Sequence, residues 1–239
     1  MRGSILERLV RDRAAKIPVV LVTDLASGAQ ALVYMRDVAG DLPLDSDTVV
    51  RVREALRADE SGTMEHGGRR LFFHVQNPPL RLIIVGAVHI AQVLAPMAAL
   101  AGYNVTIIDP RRAFATDARF PDVALIAEWP DEAMATMTLD RRTAVVTLTH
   151  DPKVDDPALQ TALRSDAFYV GALGSKRTHA ARLGRLKSAD FSDADCARIH
   201  GPVGLDIGAL SPAEIAVSIL AQITAVLRGN AAARREKAA

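Results

Sequence analysis

The sequence predicts an α/β fold: a parallel sheet with helices on both faces, plus a small α+β N-terminal domain. Three observations carry this. From residue 80 onward, short β-branched runs alternate with segments of helical spacing, a pattern that needs right-handed crossovers between parallel strands. Leu82-Ile83-Ile84-Val85 and Ala144-Val145-Val146 are uninterrupted apolar runs, as in strands covered on both faces. Asn77-Pro78-Pro79 sets this pattern apart from the preceding one, because neither proline can donate to a ladder or continue a helix. The expected domains are 1–79 and 80–228, followed by a disordered tail at 229–239.

In the first domain, Met1 to Lys16 has Arg and Glu at helical spacing. Ile17 to Thr23 reads as a strand, and Ala31 to Met35 pairs back on it across a Ser27-Gly28 turn. Val49 to Ala58 is helical, and Gly67-Gly68 precedes a strand at Arg70 to Val75. In the second domain the predicted strands are Leu80–Val85, Asn104–Asp109, Val123–Ala127, Thr143–Thr149 and Ala167–Val170. The predicted helices are His89–Ala101, Asp131–Met137, Pro157–Ser165, Lys176–Lys187, Ser192–Ile199 and Pro212–Arg228.

Composition narrows the function classes. The 239 residues are 49% hydrophobic, with 29 Lys+Arg against 28 Asp+Glu. Such a chain buries a core, and its even charge offers no basic arm for nucleic acid. No apolar run approaches the roughly 18–20 residues of a membrane span. The start lacks the apolar core of a signal peptide, so a soluble cytoplasmic protein is expected. The one cysteine, Cys196, excludes an intrachain disulfide and reads as a buried small residue.

Three glycine-bearing loops carry the chemistry. Val85-Gly86-Ala87-Val88-His89 joins a strand to a helix, and Asp109 follows about twenty residues later, the layout of a Rossmann-like dinucleotide loop and its ribose-binding acid. Val88 stands where the middle glycine of that fingerprint would let a pyrophosphate approach. Gly171-Ala172-Leu173-Gly174-Ser175-Lys176-Arg177 ends a strand and opens a helix with two cations, an arrangement suited to an anion. Arg182, Arg185 and Lys187 read as a solvated basic face of that helix. Gly201 to Gly208 forms the third loop, with Asp206 either capping a neighbour or facing a ligand. His150 lies at the carboxyl end of the fourth strand, as a ligand contact or a turn residue. The nearby Asp151, Asp155 and Asp156 read as helix caps, and no metal site is expected.

Together these loops resemble the xanthine dehydrogenase accessory protein family, XdhC and its CO-dehydrogenase relatives. The shared motifs are Gly86-Ala87-x-His89-x-Ala91-Gln92, Asp109-Pro110-Arg111, Arg119-Phe120-Pro121, Thr149-His150-Asp151, Tyr169-x-Gly171-Ala172-Leu173-Gly174-Ser175-Lys176-Arg177, Gly204-Leu205-Asp206-Ile207-Gly208 and Pro212-x-Glu214-Ile215-Ala216-x-Ser218-Ile219. They span about residues 80–228 in order. The resemblance implies a chaperone that binds the molybdenum cofactor (molybdopterin), protects it during sulfuration by a cysteine desulfurase, and delivers it to an apo-molybdenum hydroxylase. The chain departs from the family at Val88. It also lacks the cysteine-bearing loop of the family's amino-terminal domain, which implies that a second family subunit supplies it or that the function is lost.

On this reading Ser175, Lys176 and Arg177 hold the phosphate, and Gly86, Ala87 and His89 approach the pterin. Asp109 and Arg111 line the rim, and His150 and Asp206 bond the pterin or the metal's oxo and sulfido groups. Gly171, Gly174 and Gly204 shape the loops. No nucleophile–base pair is evident, which favours a non-enzymatic chaperone. The alternatives are an NAD(P)-dependent oxidoreductase, with Asp109 or Arg111 on the ribose and His150 as proton donor, and a pure interaction subunit. A homodimer is an option for a small amino-terminal domain that buries little surface alone.

Overall fold

The structure, a computed structural model, describes the backbone of residues 3–238 and the side chains of residues 3–229. The chain divides into two compact units, Met1–Pro78 and Pro79–Ala239, at the Asn77-Pro78-Pro79 segment.

The first unit contains α1 (Gly3–Ala14), β1 (Val19–Asp24), β2 (Gln30–Val33), β3 (Val38–Gly40), α2 (Ser46–Ala58), β4 (Gly62–His66) and β5 (Arg69–Gln76). Its antiparallel sheet has the order β3-β2-β1-β5-β4. Successive β1 residues point to opposite faces. Val20 and Val22 pack under α2 with Val52 and Leu56, while Val19 and Leu21 pack with Ile5 and Leu9 of α1. Two covered faces account for the unbroken apolar run in β1. The edge strands β3 and β4 are additions to the predicted elements. β3 is three residues long and too short to show a period.

The second unit continues with β6 (Leu80–Val85), α3 (His89–Leu100), β7 (Tyr103–Ile108), β8 (Ala124–Ile126), α4 (Pro130–Ala135), β9 (Thr143–Thr147) and α5 (Pro152–Leu163). It ends with β10 (Tyr169–Ala172), α6 (Lys176–Lys187), α7 (Asp193–Cys196), β11 (Ile199–His200) and α8 (Pro212–Ala238). The sheet order is β11-β10-β9-β6-β7-β8, with every pairing parallel. Strand order therefore reverses between β6 and β9, the Rossmann arrangement. One apolar layer joins Leu82, Ile84, Ala144 and Val146 to α3 and α8, and the other joins Ile83, Val85 and Val145 to α4, α5 and α6.

Several predicted boundaries change for identifiable reasons. α5 begins at Pro152 rather than Pro157, because Asp151 caps it through the Lys153 N–H and Pro152 takes the first helical position. The helix expected to reach Ile199 stops at Cys196, and Ile199–His200 pairs with β10 instead. α8 continues to Ala238, past Arg228 and through the stretch expected to be disordered, where alanine, arginine, lysine and glutamate favour a helix. The side chains of that stretch and Ala239 lie outside the described residues. Within α8, Pro212–Gly229 is long and apolar enough to cross a membrane, with mean hydropathy 1.2, contrary to the expectation that no run reached this length. Its Ala216, Ile219 and Ile223 pack in the core with Leu94 and Ala98 of α3, while Val217 and Val226 on the same helix are exposed.

Asp109, one residue past β7, braces the switch point. It is 0% exposed, and its carboxylate accepts the Ala87 N–H at 2.8 Å, the Arg111 N–H at 2.9 Å and both arms of the Arg111 guanidinium at 2.9 and 2.7 Å. The expectation that Asp109 lines a rim is thus corrected. The buried carboxylate can be satisfied only by the loop it holds. Burial works against its charge, but the hydrogen bonds from Arg111 and the Ala87 N–H outweigh it, holding the carboxyl below the usual range. Gly86 meets a second constraint. Its φ is +111°, and a Cβ there would stand 2.6 Å from Thr149 Cγ2 on the neighbouring strand end.

The brace has measurable consequences. Asp109 has a folded pKa below its unfolded one, so its stabilisation is complete above about pH 4 and is lost as pH falls through the folded value. Asp109→Asn should therefore cost about 2 kcal/mol at neutral pH, with the gap to wild type narrowing by about pH 3. Denaturant titration checks this, and a gap that does not change with pH would contradict it. Gly86→Ala should cost about 1–3 kcal/mol in strain plus the clash. Adding Thr149→Ser, which removes Cγ2, should restore the clash part alone, and a double variant no more stable than the single would contradict the contact.

Candidate functional site

The loops at the carboxyl ends of the strands fall into two groups. Gly86, Ala87, His89, Asp109, Arg111 and His150 gather around β6, β7 and β9. Ala87 is buried, and Arg111 is held on Asp109 with its guanidinium 4.7 Å over the Phe114 ring. His89, the first residue of α3, is exposed, and Val88 before it gives the helix no side-chain cap. His150 is exposed in the left-handed region (φ 64°), and its N–H donates to Asp155 Oδ2 at 3.1 Å. Among the described residues, neither histidine side chain has a hydrogen-bond or ionic partner.

The second group forms a cavity. Its volume is about 420 Å³, within the range of small-molecule sites. It is lined by Leu173, Gly174 and Lys176 at the start of α6, by residues 202–209, and by Ile215 and Ser218 of α8. Gly174, Lys176, Gly204 and Asp206 of the predicted residues line it, while the first group does not. Lys176 and Asp206 are exposed and, among the described residues, make no ion pair or hydrogen bond, so one cation and one carboxylate remain available to a ligand.

The remaining predicted residues shape these walls. Ser175 Oγ accepts the Thr178 N–H at 3.1 Å and caps α6, so it does not offer a free hydroxyl to the cavity. Arg177 is exposed on the first turn of α6 and does not line the cavity. Gly171 is buried in β10 against Val203 and Tyr169, where a Cβ would stand 2.6 Å from Val203 Cγ2. Gly204 has φ +97°, and a Cβ there would stand 2.3 Å from Ser218 Oγ, so only glycine lets the loop lie on α8. Gln222 fixes this loop. Its Oε1 accepts the Gly204 N–H at 2.9 Å and the Tyr169 hydroxyl at 2.5 Å, and its Nε2 donates to the Gly204 carbonyl at 3.2 Å.

The basic face read as solvated is corrected at Arg182 alone, since Arg185 and Lys187 are exposed as expected, each beside a carboxylate. Arg182 is 1% exposed and faces the sheet near Asp155. Arg185 makes two bonds to Asp156, at 2.5 and 2.9 Å, and Lys187 pairs with Asp193 at 2.6 Å. Sequence reasoning missed Arg182, Asp155, Tyr169 and Gln222. The available signal was spacing: Arg182 lies one helical turn before the apolar Leu186, on the same face. Asp155 lies beneath the loop rather than capping the helix, and accepts Thr149 Oγ1 at 2.6 Å.

Residues 82–223 match the family model of the XdhC Rossmann domain. PaoD of Escherichia coli (strain K12), named a molybdenum cofactor insertion chaperone, is 36% identical over 149 residues, which cover 62% of this chain and 41% of PaoD. A Bacillus subtilis (strain 168) protein, named as a probable xanthine dehydrogenase subunit, is 34% identical over 154 residues, 64% of this chain and 44% of that protein. The uncharacterized protein YqeB of Escherichia coli is 31% identical over 169 residues, 71% of this chain and 31% of its own. The chain thus spans less than half the length of these curated relatives. A crystal structure of a xanthine dehydrogenase from Bacillus halodurans superposes with a TM-score of 0.75 at 26% identity, covering 97% of this chain and 68% of that one. The chain belongs to the XdhC Rossmann domain family.

Proposed function

We propose that this protein holds the molybdenum cofactor as cargo in the cavity between the α6 start and the Gly204–Gly208 loop, and supports its insertion into a molybdenum hydroxylase of the xanthine dehydrogenase or CO dehydrogenase type. The observation that carries this is that an unengaged cation, Lys176, and an unengaged carboxylate, Asp206, line the same glycine-rich cavity. Molybdopterin has matching ends. Its phosphate is a partner for Lys176 and the α6 N-terminus, and its pterin N–H groups are partners for Asp206. PaoD, a relative at 36% identity, bears the name of such a chaperone.

The oxidoreductase reading has less support. Asp109, the residue it needs on the ribose, spends its carboxylate on Ala87 and Arg111. Sulfur chemistry is left to a partner such as a cysteine desulfurase, because Cys196, the last residue of α7, is buried in the core. A second family subunit carrying the cysteine loop fits the same division of labour.

Lys176→Ala with Arg177→Ala should weaken molybdopterin binding by about tenfold or more. Both side chains are exposed, so the melting temperature should stay near that of wild type. Anaerobic equilibrium titration with molybdopterin, run beside NAD and NADP, checks this. Unchanged affinity would remove the phosphate end of the site, and nucleotide binding without molybdopterin binding would overturn the chaperone reading.

A further inference from the structure

Arg182 is the largest fully buried side chain among the described residues. It stands on the sheet-facing side of α6, one turn before Leu186. Helical side chains lean towards the helix N-terminus. Here Nη2 reaches back past the helix start and donates to the Leu173 carbonyl at 2.9 Å. The same nitrogen is 3.8 Å from the place a Cβ on Gly174 would occupy. Leu173 and Gly174 are a wall of the cavity, and Arg182 backs that wall without lining it.

Asp155, also 1% exposed, approaches Arg182 at 3.8 Å. Its carboxylate is already engaged by the Thr149 N–H, the Thr149 hydroxyl and the His150 N–H. Arg182 Nε and Nη1 are buried with no partner. Apolar residues of equal volume commonly stabilise a core as well as such a pair does. The placement is more telling than the energy. The pair ties together the loops that follow β9 and β10. It also sets a guanidinium behind the wall whose open side carries Lys176, in surroundings that screen charge weakly.

We propose that Arg182 is the positioning residue of this cavity and sets its selectivity for a phosphate-bearing ligand, fixing Leu173 and Gly174 and adding positive potential at the phosphate end. The inference rests on the cavity being the ligand site.

The test uses the full chain and two variants. R182M/D155N removes both charges, so no carboxylate is left buried without its counter-charge. Arg182→Lys keeps the charge and loses the planar fork that reaches Leu173. Calorimetric titrations with molybdopterin, with phosphatase-treated molybdopterin and with inorganic phosphate are compared, and melting confirms folding. The double variant should bind molybdopterin about tenfold more weakly and lose its response to phosphate. The loss should be smaller for the dephosphorylated form. Arg182→Lys should keep the preference for the phosphorylated form at reduced affinity.

Unchanged molybdopterin affinity in the folded double variant overturns the role of Arg182 and leaves the cofactor reading standing. So does an equal loss for both forms, or loss of the phosphate preference in Arg182→Lys. Wild type that binds phosphate but not molybdopterin overturns the cofactor reading, while a phosphate response lost in the double variant still supports Arg182. Wild type that binds neither overturns both.

Discussion

The carboxyl edge of the parallel sheet depends on satisfying loop backbone groups that have been taken out of water. Loops that turn sharply at the ends of buried parallel strands carry N–H and C=O groups that no ladder can pair, and leaving them unpaired costs more than any one bond gains. Four inward side chains meet the need here. Asp109 holds the Ala87 N–H, Asp155 holds the Thr149 and His150 N–H groups, Arg182 holds the Leu173 carbonyl, and Gln222 holds both backbone groups of Gly204. Each of the loops after β6, β9, β10 and β11 thus has its own internal anchor.

This division of labour separates support from contact. Side chains that anchor loops are unavailable to a ligand, and Asp109 and Ser175 are examples. Those left over, Lys176 and Asp206, lie where two glycine-bearing loops leave a cavity. The Rossmann topology still decides where this happens, because a parallel sheet collects the loops at its carboxyl edge. The candidate site is shifted from the β6–β9 reversal towards β10 and β11. The departure at Val88 agrees with that shift, since a loop braced by Asp109 and packed on Thr149 has little need for a glycine that admits a pyrophosphate.

Much of the fold was legible in the sequence because its signals are local. Apolar runs such as Leu82–Val85 and Ala144–Val146 announce doubly covered strands, and Gly86 and Ser175 mark strand-to-helix turns. Elements held by a few long-range pairs were not legible. β11 is two residues, Ile199 and His200, whose strand character comes from pairing with β10. For the candidate site, the glycine loops and Lys176 stand out by composition. Arg182 does not: among Arg177, Arg185 and Lys187 it reads as one more surface cation, and only the fold shows that its face meets the sheet. Asp109 misleads for a related reason. Its spacing matches a ribose-binding acid, while its burial, which spacing cannot report, turns it into a brace.

Ligand binding between the α6 start and the Gly204–Gly208 loop, rather than at the Gly86 loop, is open to direct test by hydrogen exchange of the full chain with and without molybdopterin. New protection is expected at residues 173–177 and 202–209, with residues 86–91 and 109–112 unchanged. Protection confined to residues 86–91 and 109–112 would contradict this placement and return the site to the switch point.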